Sequence, residues 1–211
     1  MIKKQMGRFL LFFVVVFYLC QVIGGMMKEL SLHILDIVQN SIKADATLIE
    51  IEIDENTTSD LLTIAIKDNG NGMDEETLQK VIDPFFTTRT VRNVGLGIPL
   101  LKIAAERCNG SFEIKSQIRV GTEVKAVFGY NHIDRAPLGR IGDTIMVLLN
   151  NSERFEIYYK HIYNGSDFVF DTKEIKRILD DVDISSPDIL LWIKEYIREN
   201  IEDLKKHTHL Q

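Results

Sequence analysis

Lys67-Asp68-Asn69-Gly70-Asn71-Gly72-Met73-Asp74 is the stretch on which the reading of this chain turns. It follows Leu61-Leu62-Thr63-Ile64-Ala65-Ile66, an alternating and partly β-branched run, and precedes the polar helical start Asp74-Glu75-Glu76. A strand that ends in a carboxylate and then two glycines suits a ligand held close to backbone. Glycine accepts positive φ and lacks the Cβ that would clash. By itself the pattern reads equally as a turn, for which Asp, Asn and Gly are the usual residues. The flanking sequence decides between the two.

Upstream, Lys28–Ala44 has helical periodicity, with Leu30, Ile34, Leu35, Val38 and Ile42 on one face. Glu29, His33, Asp36, Asn40 and Lys43 recur at spacings of three and four along another side. A solvated face is the ordinary reading of such a stripe, but the order acid, amide, cation is unusual. His33 reads as a helix-face histidine paired with Glu29 one turn away. Thr47–Asp54 alternates as a strand, and with Leu61–Lys67 it predicts an antiparallel hairpin. Downstream, Asp74–Val81 reads as a short helix. Asp83-Pro84 opens a loop, since proline disfavours helix in the residue before it. The loop closes at Val94-Gly95-Leu96-Gly97, where a second helix runs to Cys108 and ends at Asn109-Gly110. Ser111–Ser116 and Thr122–Tyr130 read as two further strands.

Taken together, residues 28–130 resemble the ATP-binding domain of the GHKL superfamily, which includes histidine kinases, gyrase, MutL proteins and heat-shock chaperone ATPases. His33–Lys43 is similar to the N box and Asp68–Met73 to the G1 box. Asp83-Pro84-Phe85-Phe86-Thr87-Thr88-Arg89 resembles the F box of histidine kinases, and Gly95-Leu96-Gly97-Ile98 the G2 box. Gly121-Thr122, with Phe128 beyond, resembles the last conserved strand of the family. Five blocks in order are specific where none alone would be. The resemblance implies an α+β two-layer sandwich, with a mixed, mostly antiparallel sheet covered by helices.

It also implies roles. Asn40 would supply a neutral oxygen to Mg²⁺, a hard cation that keeps several waters and bridges phosphates. Asp36, one turn earlier, would lie beside the γ-phosphate as the second catalytic residue. The ATPase branch has Glu there; Asp is shorter by ~1 Å, a misplacement that costs on the order of 10²-fold in rate, which argues against strong hydrolysis. Lys43 matches a lysine of histidine kinases and would neutralise phosphate charge. Asp68 would accept the adenine amine, an interaction that guanine's O6 cannot offer, with Thr122 beside it. Gly70, Gly72 and Met73 would line the nucleotide. Gly95, Leu96 and Gly97 would present N–H groups to phosphate at a helix start. Phe85, Thr88, Arg89 and Arg92 belong to the lid side, where a cation reaches the γ-phosphate. The short lid, Thr87–Val94, looks like the histidine-kinase branch. No phosphoacceptor-histidine pattern accompanies it, so the expected acceptor of a transferred phosphate lies on another protein. An ATP-dependent regulatory binding module and a weak conformational ATPase are the alternative readings, and a homodimer stays open.

The chain has 211 residues, 45% of them hydrophobic, and a net charge of −6. It is long enough for one good core, and its charge disfavours nucleic acid as the main partner. Two cysteines, Cys20 and Cys108, suit a reducing compartment. Lys3, Lys4 and Arg8 before the apolar run Phe9–Gly25 have the layout of a signal peptide or a membrane anchor. As an anchor, that run would send the remainder outside under the positive-inside rule, away from ATP. Two resolutions remain, an anchor of inverted or re-entrant topology and a translation start at Met26 or Met27; the expectation is the second and a cytoplasmic protein, membrane-anchored only if residues 9–25 are translated and retained. Asn131–Gly142 reads as a linker. Residues 143–211 read as a small α+β appendage of unrecognised function. It has a short apolar helix or strand at Thr144–Leu149 and a hairpin turning at Asn164-Gly165. A capping box at Asp171 and Glu174 starts one helix, and Ser186-Pro187 starts a long amphipathic one.

Overall fold

The computed structural model describes residues 29–83, 97–150, 154–180 and 182–208. Their elements follow the chain as α1 (Leu30–Lys43), β1 (Leu48–Asn56), β2 (Leu61–Asp68), α2 (Glu75–Ile82), α3 (Gly97–Arg107), β3 (Ser111–Gln117) and β4 (Gly121–Gly129). Next come α4 (Ile141–Leu149), β5 (Glu156–Tyr163), β6 (Ser166–Asp171), α5 (Thr172–Leu179) and α6 (Pro187–Thr208). The strands form one sheet in the order β3-β4-β2-β1-β5-β6. Every neighbouring pair is antiparallel except β1 with β5. The fold is α+β, as expected, with a mixed, mostly antiparallel sheet packed against helices.

Strand alternation sorts the two faces. Ile49, Ile51, Ile53, Leu62, Ile64, Ile66, Val124, Ala126 and Phe128 point inward and are buried with Leu30, Ile34, Val38 and Leu101 of the helices. The outer face of the four strands β3, β4, β2 and β1 carries charges of alternating sign across the register. Lys115, Glu123, Lys67 and Glu50 face one another in sequence, as do Glu113 and Lys125. Opposite charges on directly paired residues favour this register, and the sequence needs no helix there.

The carboxyl-terminal third departs from expectation. It does not stand apart behind a linker: β5 lies parallel to β1, with Ile51 opposite Tyr159, and extends the same sheet. Residues 131–142 are tied down too. The carbonyls of Pro137 and Leu138 accept from the amides of Leu30 and Ser31, at 2.9 and 2.8 Å, and so satisfy free N–H groups at the start of α1. Pro and Gly in that segment read as linker residues because composition does not reveal which backbone groups they serve. Thr144–Leu149 belongs to the helix α4, which packs between α1 and α6. The Asn164-Gly165 turn has positive φ at both residues, 49° and 89°, the geometry that matches strand twist in a two-residue hairpin. No helix among the described residues is long and apolar enough to cross a membrane; the apolar run at residues 9–25 lies outside them.

A buried polar cluster joins this third to the rest. His161 Nε2 lies 2.8 Å and Lys205 Nζ 2.6 Å from Glu55 Oε1, and the Tyr159 hydroxyl is 2.5 Å from His161 Nδ1. Burial pushes the Glu55 carboxyl up, but the hydrogen bonds from His161 and Lys205 outweigh it and hold the carboxyl at about 2, from 4.5. A carboxyl depressed by folding contributes stability above its unfolded value, and that stability is lost as pH falls toward the folded one. Lowering the pH from about 4.5 to about 2 should therefore remove roughly 3 kcal/mol of stability through this group. Chemical denaturation across that window should show the loss in the native chain and a flatter profile in Glu55→Gln. Equal profiles would remove Glu55 from the account.

Candidate functional site

A cavity of about 580 Å³ opens between α1, α2, the start of α3 and the ends of β2 and β4. Asp68 closes one end of it. As the last residue of β2 it faces Thr122 of β4 in register, and both line the wall. Three donors hold the Asp68 carboxylate. Ser41 Oγ donates to Oδ2 at 2.6 Å, while the amides of Gly70 and Thr122 donate to Oδ1 at 2.9 and 3.2 Å. A carboxylate has about four acceptor sites, so one is left, and the side chain faces the cavity. Asp68 is 8% exposed, and such fixed, buried acceptors are costly unless a donor completes them.

The loop after β2 is immobilised by its own polar residues. Asn69 Oδ1 accepts from the amides of Thr47 and Leu48, at 2.8 and 2.9 Å. Asn71 N donates to the Ala44 carbonyl, and the Asn71 carbonyl accepts from Arg119 N, both at 2.7 Å. Gly72 has φ +63°, and a Cβ there would lie 1.9 Å from the Gln117 carbonyl oxygen. Only glycine lets the loop pass the β3–β4 hairpin so closely. Ser116 couples the two sides: its Oγ accepts from Met73 N at 2.8 Å and lies 2.9 Å from Thr122 Oγ1. Ile37, Ile66, Val81, Ile98 and Val124 supply apolar walls. A slot with apolar sides and a few fixed polar groups at its end suits a flat heteroaromatic ring.

Asn40 and Lys43 line the wall on the α1 side. Asn40 Nδ2 is buried without a hydrogen-bond partner among the described residues. An amide placed where no protein group completes it is an invitation to a ligand or a cation, and turning the amide presents oxygen at the same place. No group of three or more His, Cys, Asp or Glu side chains that could hold a metal occurs among the described residues. A hard cation would therefore take Asn40 together with ligand oxygens and waters, which is how Mg²⁺ ordinarily binds beside phosphates.

Asp36 and His33 lie against the start of α3. Both face α3 and neither lines the cavity. A Cβ at Gly97 would lie 1.9 Å from Asp36 Oδ2, so glycine is what lets α3 begin against this carboxylate. Asp36 Oδ2 and His33 Nδ1 are buried without hydrogen-bond partners among the described residues. Burial pushes the His33 imidazole below its usual value, against the opposing influences of the Gly97 backbone and Asp36. Glu29 accepts from the Ser31 hydroxyl at 3.3 Å instead of meeting His33. The stripe Glu29–Lys43 is thus no single solvated face: its middle is covered by α3.

Of the residues singled out in the sequence, Asn40, Lys43, Asp68, Gly72, Met73 and Thr122 come together around the cavity. Gly70 stands behind Asp68, and Gly97 stands against Asp36. Phe85, Thr88, Arg89, Gly95 and Leu96 lie outside the described residues. Sequence reasoning missed Ser41 and Ser116. Ser41 was detectable: it continues the apolar stripe Ile34–Ile37–Val38, and a hydroxyl at a core position needs a partner. Ser116 carries no such signal.

Residues 27–131 match the family model described as histidine kinase-, DNA gyrase B-, and HSP90-like ATPase. A protein of Shewanella frigidimarina described as a sensor is 34% identical over 110 residues, 50% of this chain and 16% of its own length. The sensor histidine kinase YvrG of Bacillus subtilis is 27% identical over 97 residues, 44% of this chain and 17% of its own length. Sporulation kinase C of the same organism is 29% identical over 105 residues, 50% of this chain and 24% of its own length. The chain thus aligns with a quarter or less of the length of each of these three relatives.

Proposed function

Because residues 27–131 belong to the histidine kinase-, DNA gyrase B- and HSP90-like ATPase family, we propose that this chain binds Mg-ATP in the cavity below α1 and passes the γ-phosphate to a partner protein in signalling. The observation that carries the proposal is Asp68, fixed by three donors with one acceptor site free toward an apolar slot. Adenine offers an exocyclic amine to that site. Guanine would set a carbonyl oxygen against the carboxylate, acceptor against acceptor. Thr122, positioned by Ser116, supplies a hydroxyl beside the same edge, and Ile66, Ile98 and Val124 flank the ring.

At the other end Lys43 would offset phosphate charge, and Asn40 would hold Mg²⁺ with its side-chain oxygen. Such an ion would supply positive charge to offset what develops on the phosphate during transfer. The chain's own contribution is to exclude water around the base, to orient the phosphates along α1, and to keep Asp36 dry. Asp36 favours transfer over hydrolysis: it is shorter than the Glu of the ATPase branch by ~1 Å, and its Oδ2 lies against Gly97 at the start of α3. The same placement favours a second reading, an ATP-dependent regulatory module that binds nucleotide and does no chemistry. The relatives named as histidine kinases or sporulation kinase support the first reading.

The two separate in one assay. The full chain is incubated with γ-labelled ATP, Mg²⁺ and the proteins that co-purify with it from extract. Label arriving on a partner supports transfer. Saturable ATP binding with label on no protein supports the module.

A further inference from the structure

Beyond the nucleotide site, and without resting on that reading, the sheet ends at β6 in an edge that no other described strand covers. We infer that this edge, with Trp192 and Tyr196 above it, takes up an extended segment of a partner protein as a seventh strand, and that the segment is basic at its ends and apolar between.

The geometry of α6 carries the inference. Leu190, Ile193 and Ile197 turn to the sheet and are buried. Lys194 marks the flank toward α4, with Nζ 2.8 Å from Asp143 Oδ1. Trp192, Tyr196 and Asn200 recur every four residues and so lie on the opposite flank, where Tyr196 reaches Phe168 of β6. Trp192 stacks on Tyr196 at 5.0 Å between centroids, and Tyr196 meets Phe168 of β6 edge-on at 5.6 Å. Trp192 nevertheless stays 47% exposed, and Val169 on the other face of β6 is 39% exposed. On its outer side β6 makes no backbone hydrogen bond to any other segment among the described residues. Such an edge is a template for another strand, and large aromatics beside it are the residues that dominate interfaces.

Register sets the chemistry of the occupant. Asp167, Val169 and Asp171 share the outer face of β6, while Phe168 and Phe170 share the inner one. An added strand would therefore meet two carboxylates four residues apart on one side, Asp167 with Oδ2 3.9 Å from Lys160 Nζ and half exposed, and Asp171 with Oδ1 accepting from Lys173 N and Oδ2 left over among the described residues. Beneath the Trp192–Tyr196 shelf it would meet an apolar surface. The matching segment has Lys or Arg at positions one and five and apolar residues at two, three and four. A second copy of this chain does not match. Antiparallel pairing of β6 with itself about Val169 sets Phe168 against Phe170, but also Asp167 against Asp171, like charge directly opposite like charge.

Trp192 is the only tryptophan in the chain, so it reports its own burial. The probe is a blocked peptide Ser-Lys-Phe-Val-Phe-Lys-Ser, titrated into the full chain while tryptophan emission is followed. The expected result is a saturable blue shift, about tenfold weaker when both lysines are glutamate, and abolished when the central valine is proline, which cannot donate to a ladder. The variant Asp167→Lys with Asp171→Asn, which retains an oxygen to cap α5, should invert the charge preference. Far-UV circular dichroism confirms that it is folded. Absence of a shift with the lysine peptide, equal binding of the glutamate or proline peptides, or an unchanged preference in the variant would each overturn the proposal. So would a blue shift that follows protein concentration alone, because that would make a second copy the occupant.

Discussion

Asp68→Asn is expected to weaken ATP binding by about 10- to 100-fold, the value of one hydrogen bond to a charged group, while the chain stays folded. The side chain keeps its shape. The amides of Gly70 and Thr122 both donate to Oδ1, so the single oxygen of Asn belongs there. Its NH₂ then takes the place of Oδ2, where the Ser41 hydroxyl can turn and accept. The remaining N–H faces the cavity and meets the adenine amine donor to donor. Calorimetric titration of ATP into native and variant protein measures the loss, and thermal melting shows that the fold is retained. An unchanged affinity would mean that Asp68 does not read the base.

Asn40→Ala should have an opposite signature on stability and on chemistry. In the native chain Nδ2 is buried and unpartnered, a condition that costs on the order of 1–3 kcal/mol. Removing the amide should therefore leave the nucleotide-free protein as stable as before, or more so. The Mg²⁺-dependent part of ATP affinity should vanish with it. Any phosphate transfer should fall by about 10²- to 10³-fold, the usual cost of deleting one group that offsets developing charge. Melting with and without Mg-ATP, beside the labelled-phosphate assay, measures both. A destabilised variant that still responds to Mg²⁺ would make Asn40 a structural residue.

These two residues were legible before the structure because their chemistry is written in residue type. A carboxylate at a strand end before glycines, and an amide one helical turn from an acid, are uncommon enough to stand out. The order of the elements was legible for the same reason: strand alternation and glycine-bounded helices mark β1, β2, α3, β3 and β4 closely. What stayed hidden depends on neighbours distant in sequence. The alternation of Phe155–Tyr163 identifies a strand, but nothing in it says that β5 lies parallel to β1 and continues the same sheet. The resemblance puts Asp36 beside the γ-phosphate, but residue type does not say what its carboxylate meets. Where its carboxylate points depends on the close approach of Gly97, 61 residues later in the chain. Glu55 shows the same limit: an exposed-looking acid near a strand end is buried because His161 and Lys205 arrive from the carboxyl-terminal third.

The central claim is that the cavity reads adenine. Its most direct test is titration of ATP and of GTP into the full chain with Mg²⁺ present. The account predicts saturable one-to-one binding of ATP, with GTP weaker by at least about tenfold because O6 opposes the Asp68 carboxylate. Equal binding of the two nucleotides, or no binding of ATP, would contradict it.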